Sequence, residues 1–228
     1  PQQRFWAAAQ RVSGDPDIGL HIGELMPPFR GQVLEYLFLS SPTFGDGLQR
    51  ALRYNRLMTD VLQLQLRVES GVAILAGLEH PERHYLECAT TLVLRFLQQV
   101  SDGEFRPDRV TFAHNRGASA EAYQRVYGCP VVLGAEEGAI HFDAALLARS
   151  SLAAEPELLR VHETLAARKL EDLARKDFLH TVEQALGGLL EQGDASLDAL
   201  AERLGRTPRS LRSELSALGT SFKEVLAG

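Results

Sequence analysis

The segment SLDALAERLGRTPRSLRSELSALG, residues 196–219, constrains the fold of this chain more tightly than any other stretch. Leu197, Leu200, Ala201 and Leu204 fall on one face of a short helix. Ser196 suits its N-cap, and Asp198 sits favourably at the positive end of its dipole. Gly205 supplies the left-handed residue that ends it. Thr207 then caps a second helix, with Pro208 at the first position, where the missing N–H costs nothing. Leu211, Leu215 and Leu218 form that helix's buried stripe, and Gly219 closes it. Ser221 and Glu224 make a capping box for one more helix. Upstream, Phe178, Val182, Leu186 and Leu189 predict a bracing helix that ends near Gly193. Two short helices joined by a glycine turn and braced by a third form a helix-turn-helix, with the small Ala201 where the pair approach.

Its outer face is arginine-rich. Arg203, Arg206, Arg209 and Arg212 recur at every third position with no acid between them. The whole chain has 228 residues and a formal charge of −6. From Ser196 onward, five basic side chains meet four acidic ones, a local balance of +1 that leaves −7 on the rest. The acidity excludes a protein that coats nucleic acid over its entire surface, while the tail is locally basic. Arg209 and Arg212 can fork onto guanine edges, Ser210 and Ser213 can reach base or phosphate, and Arg206 and Thr207 sit where a helix N-terminus favours phosphate. The candidate DNA-binding residues are therefore Arg206, Thr207, Arg209, Ser210, Arg212 and Ser213.

The front of the chain reads as α+β. Helical periodicity marks Phe5–Val12, Val33–Leu39, the stretch from Phe44, and Tyr85–Val100. Between them the period changes to two: Leu62, Leu64, Leu66 and Val68 alternate with Gln63, Gln65 and Arg67, and Ser70-Gly71 turns the chain into Val72–Leu78. About five strands are expected over residues 60–145 in a small antiparallel sheet, followed by an all-α helix-turn-helix domain. Pro156 opens a charged helix expected to run to about Arg175, with Leu158, Val161, Leu165 and Leu173 as an apolar stripe that suits a linker, a dimer seam or a plain surface helix. The resulting division is 1–152, a linker helix over 153–176, and 177–228. The two cysteines, Cys88 and Cys129, make no disulfide framework and fit a reducing cytosol, and no apolar stretch approaches a bilayer span.

The tail resembles the first helix-turn-helix of AraC-type transcriptional regulators. Ser196-Leu197, Ala201, Thr207-Pro208-Arg209-Ser210-Leu211 and Gly219-Thr220-Ser221-Phe222 carry the likeness. The front is similar to the arabinose-binding-type N-terminal domain of one branch of that family, through LSSPTFGDGLQRALRY, VTFAHNRGASAEAYQRVYGCPVVLGAEEGAIHFD and ALLARSSLAA. The resemblance implies a bacterial, cytoplasmic regulator, an activator by family habit. Its N-terminal domain would bind a small-molecule effector and form a homodimer, and its C-terminal domain would read double-stranded promoter DNA and contact RNA polymerase. It also implies a second helix-turn-helix that these 228 residues do not contain. In this branch the recognition helix carries basic residues where Ser213 and Glu214 stand here, so Glu214 weakens the field toward phosphate. A sensor module with little DNA binding of its own is the alternative.

No catalytic constellation, cofactor motif or metal site is expected. His80, His84 and Cys88 have helical spacing for a metal, but Pro81 starts the helix after His80 and spoils it. Cys129, His114 and Asp143 are the residue types of a thiol hydrolase, yet Cys129 precedes a proline in an apolar strand and reads as structural. Effector-binding residues are not readable. Glu87 and His84, polar among apolar neighbours, either line a cleft or, as their helix position favours, face solvent.

Overall fold

The computed structural model describes residues 2–29, 31–59 and 61–227. The chain divides into two compact units, Pro1–Ala167 and Arg168–Gly228. The first contains helices α1 (Gln2–Ser13), α2 (Ile18–Leu25), α3 (Val33–Leu39), α4 (Phe44–Arg53), α5 (Arg83–Val100) and α6 (Ala120–Tyr127), with strands β1 (Gln65–Glu69), β2 (Val72–Ala76), β3 (Pro107–Phe112), β4 (Val131–Leu133) and β5 (Ala139–Asp143). Helix α7 (Pro156–Glu191) supplies residues to both units, and α8 (Leu197–Arg203), α9 (Pro208–Ala217) and α10 (Phe222–Ala227) complete the second.

The strands form one sheet in the order β1-β2-β5-β3-β4. The hairpin is joined by Ser70 and Gly71, whose positive φ values of 49° and 84° are those of a type I′ turn matched to the strands' twist. The sheet departs from the expected antiparallel pattern at one place: β3 and β4 pair in parallel, Val110 opposite Val131. The cause is the connection, because α6 carries the chain back to the starting end before β4 begins.

One face of the sheet is the main core. Ala73, Leu75, Val110, Phe112, Ile140 and Phe142 meet Leu86, Leu94, Phe96 and Leu97 of α5 and Phe44 and Leu48 of α4. The rings of Phe105 and Phe142 pack edge to face at 5.3 Å, as do Phe38 and Phe96 at 5.8 Å. Helix α2 lies unusually close to α5 because Gly19 and Gly23 face it. A Cβ at Gly19 would come 2.4 Å from the carbonyl oxygen of His84, and one at Gly23 would come 2.6 Å from the Cβ of Thr91. That approach closes α2 over the polar side of α5.

The helix expected to stop near Arg175 and the one expected from Phe178 are a single helix, α7. No glycine or proline interrupts residues 157–186, so good helix formers propagate straight through the change of apolar face. Its stripe also differs from the expected one: Leu159 and Ala166 are buried, whereas Leu158 and Val161 are exposed. In the first unit, His162 of α7 stacks on Tyr36 at 5.6 Å and Glu163 takes the Nε of Arg50 at 3.2 Å. In the second unit, Val182, Leu186 and Leu189 of α7 pack on Leu200 and Ala201 of α8 and on Leu211 and Leu215 of α9.

Candidate functional site

The α8–α9 corner is built by local chemistry. Ser196 Oγ accepts from the N–H of Ala199 at 3.2 Å, capping α8. At its end, Gly205 has φ 65°, Arg206 N–H bonds the Ala201 carbonyl at 2.9 Å, and Gly205 N–H bonds that of Glu202 at 3.0 Å. This is the paired closure of a Schellman motif. Thr207 Oγ1 then accepts from Ser210 N–H at 3.1 Å and starts α9 with Pro208 inside it. Gly219 repeats the closure, with Thr220 N–H on the Leu215 carbonyl at 3.1 Å. Ala201 is fully buried at the crossing, where a larger side chain would push the helices apart.

The six residues expected on DNA fall into two groups. Arg209, Arg212 and Ser213 project into solvent and make no hydrogen bond or ion pair among the described residues. Arg206, Thr207 and Ser210 are engaged. Arg206 gives its Nε to Glu214 at 2.7 Å and lies over the ring of Phe178 at 5.4 Å, a cation–π contact. Ser210 Oγ donates to the other oxygen of Glu214 at 2.8 Å. These two donors hold the Glu214 carboxyl below the usual carboxylate range, so it is ionised at neutral pH. Arg203 lies against α7 at Gly188, where a Cβ would meet its Nη2 at 3.0 Å. The arginine series is therefore split: Arg209 and Arg212 are free on the outer face of α9, and Glu214 holds Arg206.

The first unit contains a buried polar cluster that sequence reasoning placed at the surface. Glu87 is fully buried and His84 is 6% exposed. They are buried because α2, closing through Gly19 and Gly23, and the loop after β3 cover that side of α5. Glu87 Oε1 accepts from Arg83 Nε at 2.9 Å, from Tyr123 Oη at 2.5 Å and from Ala118 N–H at 3.3 Å. Arg83 also gives its Nη2 to Asp17 at 2.7 Å. Glu87 Oε2 makes no hydrogen bond among the described residues; His84 Nδ1 faces it at 3.7 Å, within ion-pair reach but too far for a hydrogen bond. The hydroxyl of Thr90 is likewise buried without a hydrogen bond, and the ring nitrogens of His114 are buried with only poorly formed contacts to the backbone at Arg116. Burial holds the His114 imidazole below its ordinary range and pushes the Tyr123 phenol up, reinforced by Glu87.

The residues weighed for other chemistry are occupied elsewhere. His80 lies outside α5 and packs on Tyr85 at 4.4 Å. Cys129 is buried in the main core with its thiol pushed up to about 11, and burial does the same to Cys88. His114 stacks on Phe112 at 4.9 Å, and Asp143 accepts from Ala145 N–H. A separate cavity of about 330 Å³ opens between α3, α4 and the end of α5, lined by Phe38, Phe44, Val100 and Arg149.

Residues 2–151 match the family model of the arabinose-binding domain of AraC transcription regulator, N-term. The chain belongs to the AraC family of transcription regulators. This AraC-type chain is 29% identical over 226 residues to the ornithine utilization regulator of Pseudomonas aeruginosa, covering 96% of its own length and 66% of that relative's. It thus spans just under two thirds of the curated protein it matches. In fold it is similar to the crystal structure of the transcriptional regulator CdpR from Pseudomonas aeruginosa, with a TM-score of 0.56 at 20% identity, over 100% of this chain and 76% of that one. Both of these proteins are described as regulators. Among the described residues no helix is long and apolar enough to cross a membrane.

Proposed function

We propose that this AraC-type chain is a DNA-binding transcription regulator under small-molecule control, with α9 as the helix that reads promoter DNA. The observation that supports this most strongly is the exposed, uncompensated pair Arg209 and Arg212 on a helix fixed by two caps and a leucine core. Two guanidinium groups three residues apart suit guanine edges in a major groove. The N-terminus of α9 at Thr207 suits phosphate, and Ser213 lies on the same exposed side. Arg206 and Ser210 become available to phosphate only where Glu214 releases them.

In this reading residues 1–152 bind the effector and dimerise, 153–176 connect, and 177–228 read DNA. The partners are double-stranded promoter DNA, RNA polymerase, a second copy of the chain and a small-molecule effector, in the cytoplasm. The relative's printed name, an ornithine utilization regulator, supports a small metabolite as the signal. Effector binding would shift how the DNA-reading unit is presented, a coupling between two distinct sites. Arg209→Ala is expected to cost about 1–3 kcal/mol of specific binding and to relax the sequence preference at one base pair. Binding of a randomised duplex pool by the full-length protein measures both. An equal loss on every sequence would demote Arg209 to a phosphate contact.

A further inference from the structure

The cluster around Glu87 is expensive to leave as it stands. A buried polar atom without a partner is destabilising, and more so when it is charged. Here a fully buried carboxylate oxygen and an imidazole nitrogen of His84 face each other at 3.7 Å, too far for a hydrogen bond, and neither has another partner among the described residues; the His114 nitrogens and the Thr90 hydroxyl nearby are also poorly satisfied. The His114 ring stacks on Phe112 at 4.9 Å, Phe112 packs at 6.2 Å on Tyr123, and Tyr123 donates to Glu87, so His114 belongs to the same region as the carboxylate and His84. Protein cores pair such groups almost without exception, so a site that leaves several unpaired is shaped for something else.

Charge indicates what that is. Arg83 is shared between Asp17 at 2.7 Å and Glu87 at 2.9 Å, so one guanidinium faces two carboxylates, and the imidazole of His84, 3.7 Å from Glu87 Oε2, is the other group beside that oxygen. Three donors crowd Glu87 Oε1, which fixes the carboxylate and turns Oε2 toward His84 with its lone pairs free. A fixed anionic acceptor in a desolvated setting selects a cationic N–H donor. The histidines and the Thr90 hydroxyl offer further donors or acceptors for polar groups on the same ligand. The cluster lies shallow, since Ala113, Asn115 and Arg116 of the adjoining loop are exposed.

We propose that Glu87, held by Arg83 and Tyr123 and flanked by His84, is the recognition carboxylate of the effector site, and that the effector is a small metabolite bearing a protonated amine. The proposal rests on the reading of the first unit as an effector domain. It specifies the anchoring side chain and the charge of the ligand, which that reading leaves open.

The test is ligand-induced thermal stabilisation and isothermal titration of the full-length protein with L-lysine, L-ornithine, putrescine and agmatine. N,N′-diacetylputrescine, succinate and L-arabinose, none of which bears a protonated amine, serve as neutral and anionic comparators. The expected result is that at least one amine raises the melting temperature of the first unit. Glu87→Gln keeps the shape and removes the charge, and should weaken that amine about tenfold or more, the size of a lost charge-assisted hydrogen bond. Its circular dichroism and its affinity for duplex DNA should stay at wild-type levels. Where Glu87→Gln does not fold, His84→Asn replaces it, and the same amine should again bind less tightly. The proposal is overturned if none of the amines binds, or if the variants bind them as the wild type does. Stabilisation by a comparator alone also overturns it while leaving the effector domain standing. Failure of every compound together with failure to bind DNA would sink the regulator reading itself.

Discussion

Glu214→Gln isolates the acid on the outer face of α9. In the folded protein Glu214 takes the Nε of Arg206 at 2.7 Å and the hydroxyl of Ser210 at 2.8 Å. Both charged partners are more than a third exposed, so the ion pair contributes only about 0–1 kcal/mol to stability, and melting should move little. The consequence for DNA is larger. Releasing Arg206 adds one phosphate contact, and each contact steepens the dependence of log K on log salt by about 0.9. Carried from a reference near 1 M down to about 0.15 M, that slope corresponds to roughly fivefold tighter binding. Loss of the acid's own repulsion acts in the same direction. Phosphate contacts are independent of sequence, so a generic duplex suffices, read by fluorescence anisotropy across about 0.05–0.3 M salt. The expected outcome is tighter binding with a slope steeper by about one. Weaker binding, or an unchanged slope, would mean that Arg206 needs Glu214 to hold it in place and would refute the assignment of Glu214 as a brake.

Leu211→Ala empties a fully buried position between α7, α8 and α9, and should cost about 2–5 kcal/mol. Calorimetry should show the Arg168–Gly228 unit melting earlier, with the Pro1–Ala167 transition unmoved. Thr207→Ala removes the α9 cap and should cost about 1 kcal/mol, visible as a lower denaturant midpoint of the same unit. Burial holds His114, near Glu87 and Arg83, and His141, near Arg109, Arg67 and Glu137, below their ordinary value of 6.5. A depressed folded-state pKa contributes stability above the unfolded value that is lost as pH falls through the folded one. The first unit should therefore melt lower at pH 5.5 than at pH 7.5, and His114→Asn should flatten part of that difference. Equal melting of the variant and the wild type at both pH values would remove His114 from that account.

What could be read from the chain alone was what depends on neighbours a few residues away. Ser196, Gly205, Thr207-Pro208 and Gly219 punctuate α8 and α9 through short-range bonds that the sequence spells out, and the Ser70-Gly71 turn is of the same kind. The order of the strands is not local. β4 is three residues long, and only the crossover through α6 makes it parallel to β3. The continuity of α7 was hidden by a shift of its apolar face near Phe178, which suggested two helices although no helix-breaking residue separates them. The Glu87 cluster was the hardest to see. It is assembled from α1, α2, α5, α6 and the loop after β3, and on α5 alone Glu87 looks like a solvent-facing acid. The spacing Gly19-x-x-x-Gly23 was the available signal that a second helix would lie against that side.

The most direct measurement of the central claim is promoter binding by the full-length protein under increasing unlabelled competitor DNA, comparing the wild type with the Arg209→Ala, Arg212→Ala double variant. Specific binding that resists competitor in the wild type and collapses in the variant is the expected result. Binding by the variant that resists competitor as well as the wild type does would contradict α9 as the reading helix.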